Sequence, residues 1–97
     1  MIPFGFHPLA REELKTAARF YRDESPGLGK AFVAEVRATV AQIRTFPESG
    51  SPDADDVRRV YLDRFPFTLV YRVNAGVLEV VAAAHQRRHP DYWRGRL

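Results

Sequence analysis

His85 is the side chain in this sequence best suited to acid–base chemistry near neutral pH. Its imidazole has a reference pKa of about 6.5, so it could donate or accept a proton. It ends an alternating apolar run, and strict alternation would put it on the same sheet face as Arg59, Arg72 and Arg87. Guanidinium groups there could hold a phosphate beside the ring. The alternative is structural: the ring ends the strand and hydrogen-bonds locally to the tail.

Positive charge is concentrated in the C-terminal part of the chain. Residues 57–97 carry eight Arg and no Lys against three acidic residues, whereas residues 1–56 carry five Arg and two Lys against nine. Arginine makes bidentate contacts with phosphate and carboxylate groups. The pattern therefore predicts a surface that contacts a target or protein partner, or else a solvated face. The candidate contact residues are Arg58, Arg59, Tyr61, Arg72, Arg87, Arg88 and Trp93.

Two adjacent aromatic residues, Tyr92 and Trp93, follow this basic cluster. Aromatic rings interleaved with arginines form the base-stacking platforms of proteins that read single-stranded RNA. The simpler interpretation, which we favour, is that one of the rings anchors the C-terminal tail onto the sheet edge or the helices.

Several function classes find no support in the sequence. It contains no glycine-rich phosphate loop, no Ser-His-Asp set and no cluster with metal-ligand spacing, so we expect neither cofactor nor metal. Cysteine is absent, which excludes thiolate chemistry and disulfides. No apolar run approaches the roughly 20 residues of a membrane span, and the N-terminus does not resemble a signal peptide. We therefore expect a cytoplasmic protein that contacts no membrane.

Three alternating segments predict an antiparallel meander. Residues 57–62 and 67–73 form the first two strands, with Phe67, Leu69, Tyr71 and Val73 on the greasier face of the second. In the third, Leu78, Val80, Ala82 and Ala84 alternate against Val77, Glu79, Val81, Ala83 and His85. Residues 74–76, Asn-Ala-Gly, tolerate positive φ and predict the hairpin turn. The product would be apolar on one face and arginine-bearing on the other.

Two amphipathic helices precede the meander. Leu14, Ala17, Ala18 and Tyr21 mark one stripe of a helix over residues 8–24. A second helix, ending near residue 45, carries Leu28, Phe32, Val36, Val40 and Ile43 at helical spacing. A link of four or five residues would make the two helices an antiparallel hairpin. Alternation over residues 2–6 predicts a short strand that pairs at the edge of the meander, and residues 48–56 read as a polar connection.

The fold class is therefore α+β, in one domain spanning residues 1–97: an N-terminal strand, then a helical hairpin packed on a sheet that ends in the meander. With its segments ARFYRDESPGLGKAFVAEV, VRRVYLDRFPFTLVYRV and AHQRRHPDYW, the chain resembles the RelE/ParE superfamily, the toxins of type II toxin–antitoxin pairs. The resemblance covers the chain from about Phe6 to Tyr92.

The resemblance implies one of two activities. RelE-like members are ribosome-dependent endoribonucleases that cut mRNA in the ribosomal A site. If this chain were one, its catalytic residues would be Arg59, His85, Arg87 and Tyr92. ParE-like members inhibit DNA gyrase and need no chemistry of their own. The nuclease pattern is eroded here, because Arg59 and Tyr61 stand where two lysines are expected and Thr68 where an arginine is. Threonine cannot neutralise a developing phosphate charge, so we favour a ParE-like protein, not an enzyme.

The resemblance also implies a cognate antitoxin. An acidic, partly disordered segment that folds on binding would complement the basic domain. We expect it along the apolar groove beside the helical hairpin or over the basic face, in a hetero-oligomer encoded by adjacent genes. A third hypothesis is a module that has lost toxicity and acts only with its antitoxin.

Overall fold

In a computed structural model that describes residues 1–97, the chain forms two helices and a five-stranded sheet. The elements are β1 (Phe4–Phe6), α1 (Pro8–Glu24), α2 (Pro26–Thr45), β2 (Ser51–Pro52), β3 (Arg58–Tyr61), β4 (Phe67–Asn74) and β5 (Val77–His85), with 3₁₀ turns at Ala54–Asp56 and Arg94–Arg96. The strand order is β1-β5-β4-β3-β2. Only β1 is parallel to its neighbour. The predicted α+β class, edge strand, helical hairpin and meander are confirmed. No helix is both long and apolar enough to cross a membrane.

The hairpin is tighter than predicted. α1 spans the predicted residues 8–24, and the His7 Nδ1 accepts a hydrogen bond of 3.1 Å from the Leu9 N–H at its start. The expected link of four or five residues is wrong, because α2 begins at Pro26 and Ser25 alone separates the helices. Proline fits the first helical turn, where its missing N–H has no partner to lose. The helices then cross closely: a Cβ on Gly29 would lie 2.8 Å from the Arg22 Cβ.

The main core lies between the hairpin and one face of the sheet. From α2, Phe32 and Ile43 are almost fully buried, and they meet Leu69, Tyr71 and Val80 of the sheet. The predicted stripe of α2 is buried from Phe32 to Ile43, whereas that of α1 is mostly half-buried. Ala10 and Ala17 of α1 belong to the same core, so α1 is fixed against the sheet and forms one wall of the candidate site.

An unpredicted edge strand, β2, lies in the stretch expected to be only a polar connection. The buried Tyr71 side chain holds it: its hydroxyl donates to the Pro47 carbonyl at 2.6 Å and accepts from the Gly50 N–H at 3.0 Å. A Cβ at residue 50 would lie 2.7 Å from that hydroxyl. Glycine is therefore required at position 50, where the backbone approaches the Tyr71 hydroxyl. Strand propensity does not encode this contact.

A β-bulge in β5 changes which residues share a face. Tyr71 pairs with Val80 but Val70 pairs with Ala82, so Val81 is the extra residue. Beyond the bulge, His85 lies opposite Phe67, whose side chain faces the helices. The prediction that His85 shares a face with Arg59 and Arg72 is therefore wrong. Strict alternation fails here because one extra residue inverts every later side chain.

The second face of the sheet is not simply arginine-bearing, as predicted, but holds a smaller core under the C-terminal tail. Trp93 is fully buried there. It packs with Val57, Val70, Val81, Ala82 and Ala84. The small alanine side chains leave room for the indole, which anchors the tail. The anchor interpretation of the aromatic pair is confirmed, although its docking site is a sheet face.

Candidate functional site

A partly buried carboxylate, Glu13 of α1, joins the helix to β5 and the tail. It accepts hydrogen bonds from both terminal nitrogens of Arg96 at 2.9 Å, from the Tyr92 hydroxyl at 2.6 Å and from the Ala83 N–H at 3.1 Å. Arg88 lies 3.3 Å away. Burial by itself would raise the pKa of Glu13, but the hydrogen bonds outweigh it and the pKa is lowered. We call this cluster the tail latch.

Arg59, a candidate for both catalysis and binding, is occupied by a second cluster at the tail. Its Nη2 lies 2.7 Å from the Asp53 Oδ2 and 3.6 Å from the Asp91 Oδ1, and its side chain is 18% exposed. Arg94 pairs with the same two carboxylates and with Asp55. The pKa of Asp53 is lowered, first by the hydrogen bond from the Ala54 N–H and then by Arg59. Arg59 therefore links β3 to the tail.

His85 adopts the local role that was the alternative to acid–base chemistry. Its Nδ1 accepts a hydrogen bond of 3.0 Å from the Arg87 N–H, and its ring meets the edge of Phe67 with centroids 5.1 Å apart. An accepting Nδ1 places the proton of the neutral ring on Nε2. The Arg87 side chain is exposed and makes no ion pair or hydrogen bond within the chain.

The four candidate catalytic residues are only partly brought together. A cavity of about 340 Å³ is lined by Arg59 and His85, with Tyr61, Thr68 and Arg88 among its other walls. Arg87 and Tyr92 do not line it. Tyr92 instead donates to Glu13, and burial together with that bond raises its pKa. A phenol held in this way does not point at a ligand in the cavity.

The candidate contact residues also divide into bonded and free side chains. Arg58 donates to the carbonyls of Glu48 and Gly50, and Arg72 pairs with Glu79 at 3.1 Å. The Arg88 guanidinium carbon lies 3.6 Å from the centroid of the Tyr92 ring, and Arg88 also pairs with Glu13. Tyr61 is 59% exposed, and Arg87 is exposed and unpaired. Trp93 has no exposed surface. With the tail docked it is an anchor, so we remove it from the contact residues.

An apolar groove of about 630 Å³ runs between α1, the ends of β4 and β5, and the tail. Leu9, Glu13, Thr16 and Phe20 line it at helical spacing, and across from them lie Phe67, Ala83 and His85. Leu9 is 51% and Phe20 is 60% exposed. The sequence predicts an apolar groove beside the helical hairpin, but neither Leu9 nor Phe20 is among the predicted contact residues. The available signal was a large apolar side chain, Phe20, outside the core-facing stripe of its helix.

Comparison with known proteins supplies the context for these surfaces. A family model described as "ParE toxin of type II toxin-antitoxin system, parDE" matches residues 5–90. Eight chains of solved structures match. One, from a structure titled "Chromosomal ParDE TA system from P. aeruginosa", has a TM-score of 0.63 and 16% identity, over 88% of this chain and 96% of that one. At this identity the likeness shows the fold alone. No curated protein matches the sequence.

Proposed function

Because the chain belongs to the ParE toxin family of type II toxin–antitoxin systems, we propose that it inhibits DNA gyrase by binding and that a cognate antitoxin neutralises it. The observation that favours binding over catalysis is the occupation of the nuclease candidates by structural bonds. Arg59 is held by Asp53 and Tyr92 by Glu13. Phosphoryl chemistry on RNA needs cationic donors aimed at the developing charge, and these two side chains are aimed at carboxylates of their own chain.

The proposed target-binding surface is built around the free side chains near the end of β5. Arg87 and Tyr61 are exposed, and Arg and Tyr are the residue types that most often dominate protein interfaces. Arg88 lies next to Arg87 but is already paired with Glu13. Arg87 is therefore the cation with most to gain from a carboxylate on a partner.

Purified, antitoxin-free protein is expected to inhibit supercoiling of relaxed plasmid by gyrase at near-stoichiometric amounts. Arg87→Gln should raise the inhibitory concentration about fivefold or more, since interface arginines often contribute over about 1 kcal/mol. The matched control is Arg64→Gln, which removes another exposed charge, from the loop before β4. Titration of the plasmid assay, scored for inhibition and for trapped cleaved DNA, gives the measurement. Ribosome-dependent mRNA cleavage without any effect on gyrase would refute the proposal.

The proposed antitoxin site is the apolar groove between α1 and the tail. Leu9 and Phe20 offer large exposed apolar side chains, and Arg88 at the same groove is 53% exposed. An apolar segment flanked by acidic residues would fit both features. Its binding would bury Phe20, one of the largest exposed apolar side chains of the molecule.

Replacing Phe20 by Asp should weaken antitoxin binding by about 30-fold or more, because an aromatic anchor at an interface contributes about 2 kcal/mol or more. Phe46→Asp is the matched control: Phe46 is 64% exposed at the end of α2 and does not line the groove. Calorimetric titration with the protein encoded by the neighbouring gene measures both. Equal losses of antitoxin affinity in the two variants would mean that the antitoxin does not bind in this groove.

A further inference from the structure

A second groove, also of about 630 Å³, lies between α1 and α2 and is lined by residues of these two helices alone. No acidic side chain lines it. Its walls carry five exposed cationic side chains: Lys15, Arg19, Arg22, Lys30 and Arg37. Four of them make no ion pair, and Lys15 has only an exposed contact of 3.7 Å with Glu12. We call this the hairpin groove.

The helical spacing and the close helix crossing create this concentration of charge. Lys15, Arg19 and Arg22 follow one row of α1 at intervals of four and three residues. The floor is made of small residues, including Ala18, Gly29 and Ala34. Absence of a side chain on Gly29 lets the two helices, and with them the cations of α1 and those of α2, Lys30 and Arg37, approach each other. The N-terminus of α2 at Pro26 also borders the groove and adds the positive end of its helix dipole.

The formal charge of the sequence does not predict a cationic groove on the helical hairpin. The first 56 residues are acidic overall, but Glu13, Asp53 and Asp55 are paired with arginines of β3 and the tail. Those bonds neutralise much of the basic C-terminal part and leave the cations of α1 and α2 free. Apart from Arg64 and Arg87, the exposed cations without a strong ion pair therefore lie on the part of the chain with the negative formal balance.

We propose that the hairpin groove binds the sugar-phosphate backbone of duplex DNA without regard to sequence. Its lining contains no aromatic ring for stacking a base. Single-stranded nucleic acid is therefore disfavoured. The cations of each helix, Lys15 to Arg22 on α1 and Lys30 to Arg37 on α2, span about 10 Å at 1.5 Å per residue. Duplex DNA carries one charge per about 1.7 Å, so it presents several phosphates over this length.

An acidic protein segment fits the hairpin groove less well than DNA does. A folding peptide needs apolar side chains to pack on in order to offset its ordering entropy, and Ala18, Val33 and Ala34 of the hairpin groove are all small. The apolar groove on the other side of α1 offers Leu9 and Phe20 instead. The DNA contact goes beyond the proposed gyrase inhibition and does not depend on it.

Binding of the full chain to a labelled duplex of about 24 base pairs, followed by fluorescence anisotropy between about 50 and 200 mM KCl, tests the proposal. Five phosphate contacts predict a slope of log K against log salt concentration of about −4.5. The double variant Arg19→Gln/Arg22→Gln should reduce the slope by about 2 and weaken binding at least tenfold at 100 mM salt. Both side chains are exposed, and circular dichroism checks that the variant is folded.

Arg64→Gln is the matched control, because it removes an exposed arginine that does not line the groove, and it should change the affinity less than about twofold. Equal effects of the control and the double variant would overturn the assignment to the hairpin groove. Equally tight binding of a single strand of the same sequence would overturn duplex recognition. Displacement of the duplex by polyglutamate at equal charge would assign the groove to an acidic protein instead.

Discussion

Replacement of Trp93 by alanine is expected to lower the free energy of unfolding by about 3–5 kcal/mol, the usual cost of truncating a buried aromatic side chain. The indole is fully buried against five apolar residues, four in the sheet and Val57 just before β3. The guanidinium carbons of Arg94 and Arg59 lie 4.6 and 5.3 Å from its ring centroid. Alanine would lose this packing and leave an apolar sheet face uncovered. Urea denaturation followed by far-ultraviolet circular dichroism measures the loss.

Trp93→Phe is the informative control. The indole Nε1 is buried without a hydrogen-bond acceptor, so the wild-type side chain carries a desolvation cost that phenylalanine removes. We therefore expect Trp93→Phe to cost less than about 1.5 kcal/mol. A loss below about 1 kcal/mol for Trp93→Ala would mean that the tail contributes little to the folded state.

Replacement of Glu13 by alanine is expected to cost about 3 kcal/mol, near the lower end for removing one partner of a buried ion pair. The Glu13 side chain is 15% and the Arg96 side chain 11% exposed. The Tyr92 hydroxyl and the Ala83 N–H would lose their acceptor, and Arg96 would keep only the Val81 carbonyl. Trp93 is the only tryptophan in the chain, so its fluorescence reports whether the tail stays docked when the latch is broken. Glu12→Ala is the matched control, since the Glu12 side chain is 66% exposed on the same helix.

The same latch gives stability a defined pH dependence. The pKa of Glu13 in the folded protein is below its ordinary value of 4.5. Its contribution is therefore fully present above about pH 4.5 and is lost as the pH falls through the folded-state pKa. Glu13→Gln should flatten this acid limb relative to wild type, while Glu12→Gln should not. Thermal melts of the three proteins between about pH 3 and 6 measure the difference. Parallel curves of melting temperature against pH for Glu13→Gln and wild type would show that Glu13 does not cause this pH dependence.

The helices and the long strands could be predicted because their signals are local. The apolar spacing of α1 predicted residues 8–24, which the structure has. Alternation placed Phe67, Leu69 and Tyr71 on the core-facing side of β4, and all three are buried there. The one-residue link at Ser25 was missed because Pro26 signals a helix start as well as a stop. β2 was missed because Tyr71, twenty-one residues from Gly50, holds it in position.

The sequence alone determined the order of the helices and of the strands other than β2, the resemblance to a toxin superfamily, and the erosion of the nuclease pattern at Tyr61 and Thr68. These follow from residue identity and short-range periodicity. Tertiary structure decided which functional groups are available. One bulge at Val81 turns His85 toward the helices, and Glu13 and Arg96, 83 residues apart, neutralise each other in a largely buried pair. Charge neutralisation depends on distance in space, so most of the free cations lie on the helical hairpin and not where the formal charge of the sequence is highest.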